Sequence, residues 1–196
     1  VVHNKTELFA NVLFCEVWMR EMILCKTLQK FKLLAFCLNY DHFHWMIRPD
    51  NTVANYSEIM RFMKRNISQN INKILGFNDL NMEGDNAPEG DNAPEGDNAP
   101  EGDNAPEGDN AHCRLPWQME MDDFIMGMRD KFISIYGTQH DFPKFKWQKS
   151  FYDHIIRDQH DYDNHWRYTM YNFAKHGLPQ NWRYTGLNFP ELIDAR

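Results

Sequence analysis

His42 and His44 flank Phe43 at the end of an apolar stretch, with the run at 33–38 before them and Trp45, Met46 and Ile47 after them. In a strand, side chains alternate between faces, so His42 and His44 point one way and Phe43 the other. Two imidazoles about 7 Å apart on one face can converge on a single ion. An unpaired buried imidazole costs roughly 1–3 kcal/mol, so a central strand rarely carries two of them without a purpose. The same spacing also suits two half-exposed histidines on an edge strand.

A second group with chemistry in it is Asp161-Tyr162-Asp163-Asn164-His165. On a helix, residues three apart share a face, so the Tyr162 hydroxyl would stand beside the His165 ring. A tyrosine next to a bound cation is a candidate nucleophile, because the cation favours the phenolate. Packing of two aromatic rings explains the same spacing. Four cysteines (Cys15, Cys25, Cys37 and Cys113) are scattered without a C-x-x-C pair, which reads as reduced thiols. His112-Cys113 lacks a second pair at zinc-finger spacing.

The elements that must position these groups are interrupted by a repeat. Glu-Gly-Asp-Asn-Ala-Pro recurs from Glu83, four times in full and once truncated at Ala111. Gly, Pro, Asp and Asn in every unit oppose helix and strand, and no unit offers a large apolar side chain. The segment 83–111 is therefore expected to be a disordered acidic insertion between an N-terminal part, 1–82, and a C-terminal part, 112–196. It holds ten acidic residues and no basic ones. The other 18 of the 28 acidic residues stand against 21 Lys and Arg, so the formal charge of -7 hides a body near +3. A mildly basic, aromatic-rich body is compatible with nucleic acid. No signal-peptide pattern and no membrane-length apolar run occurs, so a cytoplasmic protein without membrane association is expected.

Helical spacing over 7–28 and 52–75 predicts two helices, the second with Ile59, Phe62, Met63, Ile67, Ile71 and Ile74 on one face and Gly76 as its stop. Residues 31–38 and 42–47 read as two strands around a turn at Asn39-Tyr40-Asp41. A helix over 121–136, a short edge strand over 142–147, and helical stretches over 150–157 and 162–175 complete the reading. Together with a first strand near the N-terminus, this predicts an α+β fold: an antiparallel sheet with helices packed on one face and a C-terminal helical segment.

Three blocks in this order resemble the REP-associated tyrosine transposases, a branch of the single-tyrosine, His-hydrophobic-His transposases. They are the stretch from Ala35 to His44, the run Trp147-Gln148-Lys149-Ser150-Phe151-Tyr152-Asp153-His154-Ile155-Ile156-Arg157-Asp158, and the stretch from Asp161 through His165 to Asn172-Phe173-Ala174-Lys175-His176-Gly177. The chain departs from that pattern at Tyr40, where the family has Pro, and at Phe173-Ala174, where it has Pro-Val. The acidic insertion is a further departure, and its charge would repel DNA.

The resemblance implies a ferredoxin-like sheet and a metal-dependent transposase that cleaves and rejoins single-stranded DNA beside hairpin repeats through a 5′-phosphotyrosine. On that resemblance Tyr162 is the expected nucleophile. His42, His44 and His165 are the expected ligands of Mg²⁺ or Mn²⁺, although three neutral imidazoles suit zinc or manganese better than magnesium. Trp147, Gln148, Lys149, His154 and Arg157 are expected to touch DNA, with Trp147 stacking on unpaired bases. His176 is expected to hold structure or touch DNA, and Tyr168 and Tyr171 to pack. The implied partner is single-stranded or hairpin DNA, bound by a monomer or homodimer. Two other readings remain open: a domesticated hairpin-binding protein, and a metal hydrolase that activates water and does not need Tyr162.

Overall fold

The computed structural model describes residues 1–77, 115–148 and 152–195. The acidic repeat, His112, Cys113 and Lys149 lie outside the described residues. Helix α1 (Val12–Gln29) leads into strand β1 (Phe31–Leu38), which pairs antiparallel with β2 (Phe43–Pro49). Helices α2 (Tyr56–Ile74), α3 (Pro116–Tyr136), α4 (Gln159–Met170) and α5 (Asn172–Lys175) follow. The architecture is α+β.

Local chemistry explains the boundaries. Asn11 caps α1 by accepting from Leu13 N, which starts the helix later than the apolar spacing suggests. Asn55 and Glu58 form a reciprocal capping box that opens α2. Pro116 sits in the first turn of α3, and Gly137, with φ 76, ends it. Asp158 caps α4 through Asp161 N.

The sheet separates two layers, because β1 carries one extra residue. Between Leu33 and Ala35 the register shifts, and Leu34 has no partner on β2. Such a bulge lets two successive residues face the same side. Leu33, Phe36 and Leu38 then enter the large core with Phe14, Trp18, Met22, Ile59, Met63 and Ile67. Leu34 and Ala35 face the other way, onto Met46 and Met170. Trp166 Nε1 donates to the carbonyl of Leu34 at 3.1 Å, so the bulge's unpaired acceptor is satisfied from α4.

Helices therefore cover both faces, not one. α1 packs on the Phe36 and Phe43 side through Trp18. α4 packs on the Leu34 and Met46 side through Trp166 and Met170. The described residues contain two strands. The expected N-terminal strand and the edge strand over 142–147 reduce to one bridge, Val2 with Trp147. Pro143 and the short length leave little else to pair. Residues 152–157, expected in a helix, run without helical bonds; His154 and the Arg157 amide bond to Asp161 instead.

The free edge of β1 is covered by the C-terminal segment. Leu33 N donates to Asp194 Oδ2, Cys37 bridges Thr185, and Trp182 Nε1 donates to Leu38 O. Cys15, Cys25 and Cys37 are buried free thiols. Burial pushes the Cys25 and Cys37 thiols up to about 12 and Cys15 higher still, so none is a nucleophile near neutral pH. No helix among the described residues is long and apolar enough to cross a membrane.

Candidate metal centre and its tyrosine

The hairpin between β1 and β2 turns over 39–42, closed by Asn39 N donating to His42 O at 2.7 Å. This turn delivers His42, and the first residues of β2 deliver Phe43 and His44. Phe43 packs against Trp18, Trp45 and Trp147 on the core side. His42 and His44 lie together on the opposite side, with ring centroids 5.0 Å apart. The expected alternation holds at these three residues.

The third imidazole beside them is His176, just past α5, with its ring 4.5 Å from that of His42. One nitrogen from each of His42, His44 and His176 lies within 4.8 Å of the others. His165 belongs to a different group, with His154 and Asp161. Its Nδ1 lies 2.9 Å from Asp161 Oδ1, and its ring stacks on His154 at 4.3 Å.

Two imidazoles of the first group are held toward the neutral form. Burial lowers the His44 pKa to about 4, with His42, His176 and Lys175 adding to the effect. Burial also lowers that of His176. Neutral imidazole is the form that ligates metals. His42 Nδ1 donates to Asp41 Oδ1, the outer carboxylate contact that orients a metal-bound histidine. On the other side of the ring, Asn39 Nδ2 donates to His42 Nε2 at 3.0 Å and to Asn172 Oδ1 at 2.8 Å. An ion at Nε2 would take the place of the Asn39 hydrogen. Asn172 is buried, and its Nδ2 has no hydrogen-bond partner among the described residues.

Tyr168 is the tyrosine whose ring meets this group, 5.3 Å from His44 and edge-on to it. Lys175 Nζ lies 4.7 Å over the Tyr168 ring and 3.4 Å from its hydroxyl. Tyr162 lies six residues earlier on α4, about 120° around the helix. It packs with Ile156 and Trp166 against Leu34, Ala35, Met46 and Met170. The sequence reading placed Tyr168 and His176 in supporting roles. Helical spacing alone does not bring them together: α4 ends at Met170, and the chain turns at Tyr171 before α5 carries Lys175 and His176 back beside Tyr168.

The expected DNA contacts are dispersed. Trp147 is partly buried among Phe9, Phe43 and Phe145, and its Nε1 donates to Lys64 O. That packing occupies the ring expected to stack on bases. Gln148 N donates to Val1 O, and its carbonyl accepts from Lys64 Nζ. His154 bonds to Asp161, holding that carboxyl below its ordinary range, and Arg157 is exposed. Comparison with protein-family models, with curated proteins and with solved structures finds no match.

Proposed function

We propose that the protein is a metal-dependent single-stranded DNA transesterase, in which Tyr168 is the nucleophile and His42, His44 and His176 are the metal ligands. The observation that carries this reading is the convergence of three imidazoles with a tyrosine ring and a lysine ammonium. The sequence resemblance supports the substrate class. The role expected of Tyr162 passes to Tyr168 because Tyr168 stands against the histidines. His176 replaces His165 for the same reason.

A divalent ion held by the three histidines would polarise a non-bridging phosphate oxygen and offset transition-state charge. The donor set suits manganese or zinc. The Tyr168 oxygen attacks phosphorus, and Lys175 offers positive charge to that oxygen as its proton leaves. The bond to the 3′ oxygen breaks, that oxygen takes up a proton, and a 5′-phosphotyrosine remains. The phosphodiester bond energy is retained in the adduct, so a second 3′-OH can reverse the step and join a new strand.

The test uses Mn²⁺ and a labelled single-stranded oligonucleotide carrying hairpins of varied sequence, read by denaturing electrophoresis. Wild type forms an adduct that survives denaturation. Tyr168→Phe removes one hydroxyl and abolishes the adduct, whereas Tyr162→Phe retains it. An adduct lost in Tyr162→Phe but kept in Tyr168→Phe would return the role to Tyr162. Cleavage by both variants with no adduct at any time would identify water as the nucleophile.

A further inference from the structure

At the far end of the β1–β2 hairpin from the histidines lies an open cleft of about 750 Å³. Its walls come from the end of α1, the start of β1 and the end of β2. Lys26, Lys30, Lys32 and Arg48 line it, with Asp50 as the acidic residue among its lining. Asp50 is turned toward Thr52, accepting from that residue's N and Oγ1. Lys26 is paired with Asp194, and Lys32 Nζ donates to Ala195 O. Lys30 and Arg48 make no ion pair among the described residues, and both are exposed.

Two features of the backbone work against this concentration of charge. Lys32 and Arg48 are direct cross-strand partners, and like charges in that position repel. Lys30 ends α1 in the left-handed region, with φ 52 and ψ 57. Glycine or asparagine is the usual residue there, because other side chains are strained. A repelling pair and a lysine in a glycine conformation meet at one cleft. An anion between Lys32 and Arg48 would offset their repulsion, and the backbone at Lys30 holds a third cation at the mouth of the same cleft.

We propose that this cleft binds phosphate groups, and that its ligand is the backbone of the DNA stem whose adjoining single strand enters the tyrosine site. The second half of this rests on the proposed function. Register puts both sites on one side of β2: His44, Met46 and Arg48 alternate onto it, with α4 packed over Met46 between them, so one DNA molecule reaches both by passing over α4. His44 and Arg48 are four residues apart, about 13 Å along the strand, within reach of one DNA molecule. Phosphate contacts of this kind fix register and orientation without reading sequence.

The test is fluorescence anisotropy of a labelled DNA hairpin with the full chain, over a series of salt concentrations. K30Q/R48Q should bind at least tenfold more weakly, and the slope of log K against log salt should fall by about 2, near 0.9 per lost phosphate contact. K30R/R48K keeps both charges and should retain affinity and slope. At saturating DNA the K30Q/R48Q protein should still form the tyrosine adduct. Y168F, which forms none, should keep the wild-type slope; the cleft and the chemistry therefore fail separately. Unchanged affinity and slope in K30Q/R48Q, with unfolding curves matching wild type, would overturn the proposal. If wild type binds no oligonucleotide but inorganic phosphate shifts the amide signals of Lys30 and Arg48, the ligand is the free anion and the DNA assignment is wrong.

Discussion

The two faces of the β1–β2 sheet are built from the same strands and carry opposite chemistry. The face under α1, α2 and α3 is a continuous layer of aromatic and aliphatic side chains, from Phe14, Trp18 and Phe36 to Ile67 and Phe132. The face toward α4 and α5 has two small apolar clusters, one at Leu34, Ala35, Met46 and Met170 and one at Cys37, Phe173 and Leu178. It gives the rest of its surface to His42, His44, Lys32 and Arg48. Stability is concentrated on one side, and reactive groups are left free to sit badly on the other. Even the misfit titratable groups divide this way. Glu21 is buried on the core side, with Asn70 donating to its Oε1 and its Oε2 unpaired among the described residues. His44 is the counterpart on the other side.

Breaking either face should have different consequences. The largest loss of stability is expected from Phe36→Ala, which opens a cavity in the packed layer and costs about 3–5 kcal/mol in urea unfolding. His42→Ala should cost less, about 1–2 kcal/mol, because the ring meets imidazoles and the polar groups of Asn39 and Asp41 and not the aromatic layer. It should nonetheless abolish Mn²⁺ binding in isothermal titration. Equal destabilisation by the two would erase the contrast between the faces.

A smaller and more specific effect follows from pH. Burial holds His44 near 4, so the unfolded chain binds the extra proton between about pH 4 and 6.5, and stability falls as pH drops through that window. Burial raises Glu21 to about 7, so the folded chain holds the extra proton between about 4.5 and 7, and stability falls as pH rises. Each amounts to on the order of 2–3 kcal/mol. The two slopes oppose each other, and unfolding free energies at pH 4.5 and 6.5 should be nearly equal in wild type. Glu21→Gln should leave the protein less stable at pH 4.5 than at 6.5, and His44→Gln should do the reverse. Parallel profiles in the two variants would show that the faces do not titrate independently.

The smallest effect is expected at the cleft. Lys30→Gly relieves the left-handed strain and should raise stability by about 0.5–1 kcal/mol while weakening the binding of a DNA hairpin. A stabilised variant with full affinity would separate the strain from the binding.

How much of this was legible in the sequence depended on the range of the interaction. β1 and β2, their turn and the amphipathic α2 follow from periodicity and turn chemistry within a few residues. α1 was legible as a helix, but its start was misjudged, because the capping Asn11 outweighs the apolar Leu8 and Phe9 before it. The two-sided packing was not legible, because one bulge at Leu34 sets which face each residue of β1 takes, and every residue from Leu33 to Leu38 is apolar enough for either. His42 and His44 could be paired from strand alternation alone. Choosing among His154, His165 and His176 for the third place required the path of the chain after α4, which breaks at Tyr171 before α5. Tyr162 and Tyr168 both lie on α4, and only the docking of that helix separates them.

The C-terminal cover on β1 has a consequence in time. Leu33 and Asp194, which bond to each other, are 161 residues apart in the chain. At roughly 5–20 residues per second, the ribosome reaches Asp194 some ten to thirty seconds after Leu33 has emerged from its active centre. For that interval β1 presents an open row of backbone donors and acceptors, the template on which nascent chains pair wrongly. Covering the β1 edge is therefore a late, long-range event, whereas the β1–β2 hairpin itself is local. A chain stopped before Trp182 keeps every residue of the histidine site, yet it should never close its own edge and should collect as pelletable aggregates during synthesis.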